Sequence, residues 1–218
     1  MKIYLIPGLG FDNRIFDKFL FEDIDFEYVN WIEPERNESI TKYAQRISER
    51  INENLGKIIL IGHSLGGILS QEISTLKNID RIILISSIKS REELPFHFKI
   101  INPLNLHRLF TKNLVTKTIK FWGKRHEYES WEEQQLVKDM INNQSNFYLQ
   151  WALKQLSIWK SPKIPSSTKI FHIHGDSDKT FPIRLITNPH EIVKNAGHFM
   201  VFKHSSTLNK MVIEELKK

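Results

Sequence analysis

The first half of the chain alternates short apolar runs with segments of helical spacing. Lys2–Ile6 forms a strand-like run that Pro7 and Gly8 stop, and Asp12 can N-cap a helix over 13–19. Residues 26–29 read as a second strand. After Ser39 or Thr41, the residues Tyr43, Ala44, Ile47, Ile51 and Leu55 recur on one helical face until Gly56 ends the pattern. Residues 57–61 are a continuous isoleucine-rich run, the pattern of a strand buried on both faces of a parallel sheet. A helix over 65–76 and another buried strand over 81–86 follow. Strand and helix at this rhythm predict a parallel sheet with crossover helices.

Between 90 and 160 the strand-like runs vanish. Amphipathic stretches at 104–122, 129–141 and 147–159 replace them, with Trp122, Trp131 and Trp151 among many apolar residues. These tryptophans are expected to pack a helical insert on the sheet, to line an apolar pocket, or both. Residues 162–167 form a turn-rich return, after which 169–174 and 190–194 read as strands and Ser205–Leu216 as a closing helix. The expected fold class is α/β, a mostly parallel sheet of about six strands flanked by helices. Its core spans 1–89 and 161–218, and 90–160 form an inserted helical cap.

The most specific chemical signal is Gly62-His63-Ser64-Leu65-Gly66-Gly67, between a buried strand and an apolar helix. A turn this tight strains the serine and lifts its hydroxyl above the sheet edge, and glycines are needed where a Cβ would meet neighbouring backbone. The following helix points its positive end at the same spot. A phosphate-binding loop would want lysine after the last glycine, where Ile68 stands.

A serine hydroxyl needs a base to act as a nucleophile. Of nine histidines, His198 follows the last predicted strand in a small-residue turn, Asn195-Ala196-Gly197-His198. His172 and His174 lie inside a strand and read as structural, and His63 as shaping the turn. His97, His107, His126, His190 and His204 read as surface or packing residues. The loop after the preceding strand holds two acids, Asp178 as the first choice to orient His198 and Asp176 as the fallback. Pro7-Gly8-Leu9-Gly10 follows the first strand, so the amides of Leu9 and Leu65 are candidate oxyanion donors.

Composition narrows the setting. The chain has 218 residues, 40% hydrophobic and 26% charged, and no cysteine, which excludes disulfides, a cysteine nucleophile and zinc–thiolate sites. The N-terminus lacks the long apolar stretch of a secretory signal and no run is long enough to span a membrane, so a cytoplasmic protein is expected. Net charge is +6, with lysines scattered among nearly as many acids. The densest basic stretch, 112–125, carries Lys112, Lys117, Lys120, Lys124 and Arg125 on an amphipathic pattern. It reads as a solvated helix face or as a docking face for an acidic partner. No basic patch is interleaved with aromatics in a nucleic-acid-binding module, so no nucleic-acid or membrane partner is expected.

The order Ser64, Asp178, His198, with a glycine loop after the first strand, resembles the α/β-hydrolase family across nearly the whole chain. Within that pattern the acid position falls on Asp178. Pro7 departs from it, standing where many members have histidine, and the sheet is trimmed at its start. The resemblance implies a serine hydrolase without metal or organic cofactor. It would cleave carboxylic esters or thioesters of small to medium apolar acyl groups through an acyl-enzyme on Ser64. Acyl groups borne by an acidic carrier protein or a coenzyme are the alternative substrates. A non-catalytic ligand binder on the same fold is the alternative from another class.

Overall fold

A computed structural model describes residues 1–19, 24–123 and 126–218. Six strands, β1 (Lys2–Ile6), β2 (Asp25–Tyr28), β3 (Ile58–His63), β4 (Arg81–Ile85), β5 (Lys169–Gly175) and β6 (Glu191–Val193), form one sheet. Its order is β2-β1-β3-β4-β5-β6, and every pair is parallel. The expected six-stranded α/β sheet is what the chain forms. Strands β1, β3 and β4 are buried along their whole length, which is why their sequences are continuous apolar runs rather than alternating ones.

The strand order reverses direction between β1 and β3. From β1 the chain steps outward to β2, then returns to lay β3 on the other side of β1. Loops leaving the carboxyl ends of β1 and β3 diverge to opposite faces there, opening a crevice. Register aligns the two ends, with Ile6 beside Gly62.

Helices α1 (Ile40–Ser48) and α2 (Leu65–Ser74) follow β2 and β3. The stretch between β4 and β5 holds α3 (Phe96–Lys99), α4 (Lys112–Lys117), α5 (Ile119–Trp122), α6 (Trp131–Asn142) and α7 (Asn146–Ile158). Helices α8 (Met200–Lys203) and α9 (Ser205–Leu216) close the chain. The stretch from α3 to α7 is tied down at its rear. Trp151 Nε1 donates to the Glu38 carbonyl at 2.8 Å, and Trp159 Nε1 donates to Glu72 Oε1 at 2.9 Å. Thr41 Oγ1 donates to the other Glu72 oxygen at 2.9 Å, so this buried carboxylate of α2 has a partner on each oxygen.

Several expected elements end differently. The helix expected over 13–19 is a single 3-10 turn, Asn13–Phe16, although Asp12 caps it as expected. Ser39, not Thr41, caps α1, which stops at Ser48 where the serine hydroxyl bonds back to the Gln45 carbonyl. Ile51 is still buried beyond that end, while Leu55 sits exposed in a 3-10 turn. The stretch 104–122 is broken three ways: Asn105 takes a left-handed backbone, Thr111 caps α4 anew, and Thr118 Oγ1 bonds back to Leu114. Lys124 and Arg125, part of the basic stretch, lie outside the described residues. Trp131 opens α6 on the solvent side, is 70% exposed and is not in the wall of the cavity beside Ser64.

The two tryptophans separate structural from surface roles. Trp159→Phe leaves a buried carboxylate oxygen of Glu72 unpaired and is expected to cost about 2 kcal/mol. Trp131→Phe should cost less than about 0.5 kcal/mol. Urea unfolding of both variants checks the difference.

Candidate active site

Three sheet loops converge over the crevice. At the end of β3 the chain turns into α2 within one residue, and Ser64 takes φ 53° and ψ −119°. This is a left-handed backbone that a non-glycine residue holds only at a cost. Three hydrogen bonds hold it: Ser64 N–H donates to the Ile85 carbonyl at 3.0 Å, and the Ser64 carbonyl accepts from Gly67 N–H at 3.0 Å and Ser87 Oγ at 2.7 Å. The glycines answer to space. A Cβ on Gly66 would lie 2.1 Å from the Ile6 carbonyl oxygen, and one on Gly62 would lie 2.5 Å from the backbone of Gly66 and Gly67.

The Ser64 hydroxyl lies 2.9 Å from His198 Nε2, and His198 Nδ1 lies 2.9 Å from Asp178 Oδ2. A carboxylate only accepts, so Nδ1 carries the imidazole proton and Nε2 presents a lone pair to Ser64. The other Asp178 oxygen accepts from the amides of Thr180 at 2.7 Å and Phe181 at 2.9 Å. Burial opposes the charge on Asp178, but His198, His174 and the Phe181 amide outweigh it and hold its pKa below the usual value. Asp176, the fallback acid, is exposed and turns the other way, accepting from Asn195 N–H at 2.8 Å.

The loop after β1 packs directly on this turn. A Cβ on Gly8 would lie 2.9 Å from His63 Nδ1, so the loop's approach requires glycine. Pro7 provides no side-chain donor, and the loop is instead held by Trp31, whose Nε1 donates to the Gly8 carbonyl at 3.1 Å. The Leu9 amide belongs to this loop and the Leu65 amide to the first turn of α2. Among the described residues neither amide donates to a protein acceptor.

The other histidines support the site without facing the serine. His63 Nε2–H donates to the His198 carbonyl at 2.9 Å, and full burial, then the nearby His198, lowers its pKa to about 3. His174 Nε2–H donates to the Phe181 carbonyl at 2.7 Å, which leaves its Nδ1 to accept from His172 Nε2–H at 3.2 Å. Burial, then its neighbour His174, likewise lowers His172 to about 3. Burial favours the neutral ring in all three, and their hydrogen bonds fix the tautomer with the proton on Nε2.

A cavity of about 350 Å³ opens over Ser64 and His198. Its walls are mostly apolar: Leu9 and Phe11 from the β1 loop, Phe181 from the acid loop, and Phe110, Val115, Trp122, Val137 and Leu153 from the helical stretch. Three residues of this region were not legible as site residues. Trp31 gave no local signal. His126, read as surface or packing, lines the cavity, and its Nδ1 lies 2.9 Å from Thr180 Oγ1, two residues beyond Asp178. Glu127 packs over Gly197, whose Cβ would lie 2.6 Å from the Glu127 carboxyl carbon, and burial raises the Glu127 pKa. Only the bare glycine before the histidine hinted at such an approach. Among the described residues no group of acids and histidines could hold a metal ion.

The model of a family described as Serine hydrolase matches residues 15–118, which include Ser64 but neither Asp178 nor His198. Among curated proteins no sequence matches the chain. Solved structures match nearly the whole chain. An esterase from Exiguobacterium antarcticum superposes with a TM-score of 0.78 at 19% identity, over 100% of this chain and 92% of that one. A thermophilic esterase from Thermogutta terrifontis gives 0.73 at 14% identity, over 100% and 89%. A bromoperoxidase from Bacillus anthracis gives 0.71 at 18% identity, over 100% and 92%. At these identities the likeness is one of fold.

The buried histidines make stability depend on pH. The folded-state pKa of His63 is about 3 against an ordinary 6.5, so below pH 6.5 the unfolded chain binds a proton that the folded chain refuses. Stability therefore falls as pH drops from 6.5 towards 3, and His172 adds to the same window. His63→Gln, whose amide can still donate to the His198 carbonyl, should remove about 2 kcal/mol of the loss between about pH 7 and pH 5. Urea unfolding at both pH values, in wild type and variant, checks this.

Proposed function

We propose that this chain, an α/β-hydrolase by fold that matches the serine hydrolase family over residues 15–118, hydrolyses carboxylic esters or thioesters. The observation that carries the reading is the continuous line from Ser64 Oγ through His198 to Asp178, with both links at 2.9 Å. Its polarity suits nucleophilic catalysis. The Ser64 O–H points at a bare imidazole nitrogen, and an ionised carboxylate stands behind the ring to stabilise the imidazolium.

In the first half-reaction His198 Nε2 takes the Ser64 proton as Oγ attacks the acyl carbon. The carbonyl electron pair moves onto its oxygen, and the Leu9 and Leu65 amides stabilise that oxyanion at the positive end of α2. Collapse expels the alcohol or thiol, which takes the proton back from His198. Water, deprotonated by the same nitrogen, then attacks the acyl-enzyme and releases the acid. The chemistry uses only protein groups. The apolar cavity of about 350 Å³ supports a small to medium apolar acyl group as the part held beside Ser64.

Purified protein is expected to hydrolyse p-nitrophenyl esters from acetate through octanoate. Ser64→Ala should lower kcat/KM by about a thousandfold or more. Asp178→Asn should lower kcat by about ten-thousandfold, because an amide stabilises the wrong His198 tautomer. Equal rates for wild type and Ser64→Ala would overturn the reading.

A further inference from the structure

The exposed apolar residues are not spread evenly. Phe96, Leu104, Leu106, Leu109, Leu114 and Phe121 all stand exposed within 94–123, the first part of the helical stretch. Phe121 is 86% exposed and Leu109 63%, values at which most of a large apolar side chain meets solvent. The same thirty residues contain Lys99, Arg108, Lys112, Lys117 and Lys120 and no aspartate or glutamate. Among the described residues none of these five cations forms an ion pair.

On α4 and α5 the two kinds of residue share a surface. Thr118 N–H donates to the Leu114 carbonyl at 3.1 Å and Trp122 N–H to the Thr118 carbonyl at 3.4 Å, so backbone hydrogen bonds tie α4 to α5 across the break at Thr118. Val115 and Ile119 point into the core, which leaves Leu114, Lys117, Lys120 and Phe121 on the solvent side. In sequence two of the six bulky apolar groups adjoin a cation directly, as Arg108-Leu109 and Lys120-Phe121. This surface also adjoins the entrance to the site, because Leu114 is both 49% exposed and part of the cavity wall.

We propose that the face formed by 94–123 docks on an anionic lipid surface, from which acyl substrates enter the cavity beside Ser64. Cations that form no ion pair among the described residues meet the headgroup charge, and Phe121, Leu109 and their neighbours enter the headgroup boundary. An acidic protein would satisfy the cations but would leave scattered, highly exposed aromatic and aliphatic side chains unexplained. Under this proposal the basic stretch is a docking face as well as a solvated one. The contact proposed is peripheral and departs from the expectation of no membrane partner; among the described residues no helix is long and apolar enough to cross a membrane. The delivery of substrate rests on the ester-hydrolase reading, whereas the docking itself does not.

Binding can therefore be measured without turnover. The Ser64→Ala protein is cosedimented with vesicles of phosphatidylglycerol and phosphatidylcholine in equal parts, and with vesicles of phosphatidylcholine alone. The expected result is binding to the anionic vesicles at least about tenfold tighter than to the neutral ones, and weakened by salt. Added to Ser64→Ala, Lys117→Glu with Lys120→Glu, and separately Leu109→Ser with Phe121→Ser, should each weaken it by about tenfold or more, while the same pairs made in the wild-type chain leave thermal midpoints and p-nitrophenyl acetate hydrolysis unchanged. Protein left in the supernatant with both vesicles, or equal binding to both, overturns the proposal. So does charge-reversal sensitivity without any effect of the serine pair, or binding to an acidic carrier protein in place of vesicles. Absence of esterase activity with vesicle binding intact would instead count against the reading of Ser64.

Discussion

The candidate site depends on one steric constraint, the close approach of the β1 loop to the turn between β3 and α2. The Ile6 carbonyl occupies space that a Cβ on Gly66 would need, and Gly8 lies against His63 with room for nothing larger. That contact brings the loop that carries Leu9 against the turn that leads into α2. In the same tight turn Ser64 holds a backbone region that serine avoids. The strain is local and is offset by hydrogen bonds from the next strand, Ile85 accepting the Ser64 amide and Ser87 donating to its carbonyl. Sheet order decides where this happens. Only between β1 and β3 do successive loops part to opposite faces, and both loops that form the crevice leave from there.

Electrostatics then rest on proton positions more than on net charge. Carbonyl and carboxylate acceptors around the site dictate which nitrogen of each imidazole holds hydrogen. His63, His172 and His174 donate from Nε2, while His198 donates from Nδ1 and so turns a lone pair towards Ser64. Burying His63 and His172 as neutral rings costs stability in acid. In exchange, His198 is the imidazole held between the Asp178 carboxylate and the serine.

Much of this was legible in the sequence, for physical reasons. Strands buried on both faces are uninterrupted apolar runs, so β1, β3 and β4 stood out. The Ser64 turn announced itself because steric exclusion at Gly62 and Gly66 leaves a fixed spacing. The choice of Asp178 over Asp176 followed from family resemblance rather than from composition, since two acids in one loop differ only in how the turn aims them. Other features depend on distant partners. The end of α1 and the breaks near Asn105 and Thr118 come from side chains bonding back to the local backbone, which apolar periodicity does not register. Trp31, His126 and Thr180 matter because three separate segments meet, and none carries a motif. The exposed face of 94–123 was half legible: its cations were counted, but which leucines and phenylalanines faced outward depended on how α4 and α5 pack.

The central claim is that Ser64 is a nucleophile activated by His198. Reaction with a fluorophosphonate, followed by peptide mapping of the adduct, tests it most directly. The account predicts one modified residue, Ser64, with labelling abolished in His198→Ala while that variant still folds. An unmodified Ser64, or equal labelling with and without His198, would contradict it.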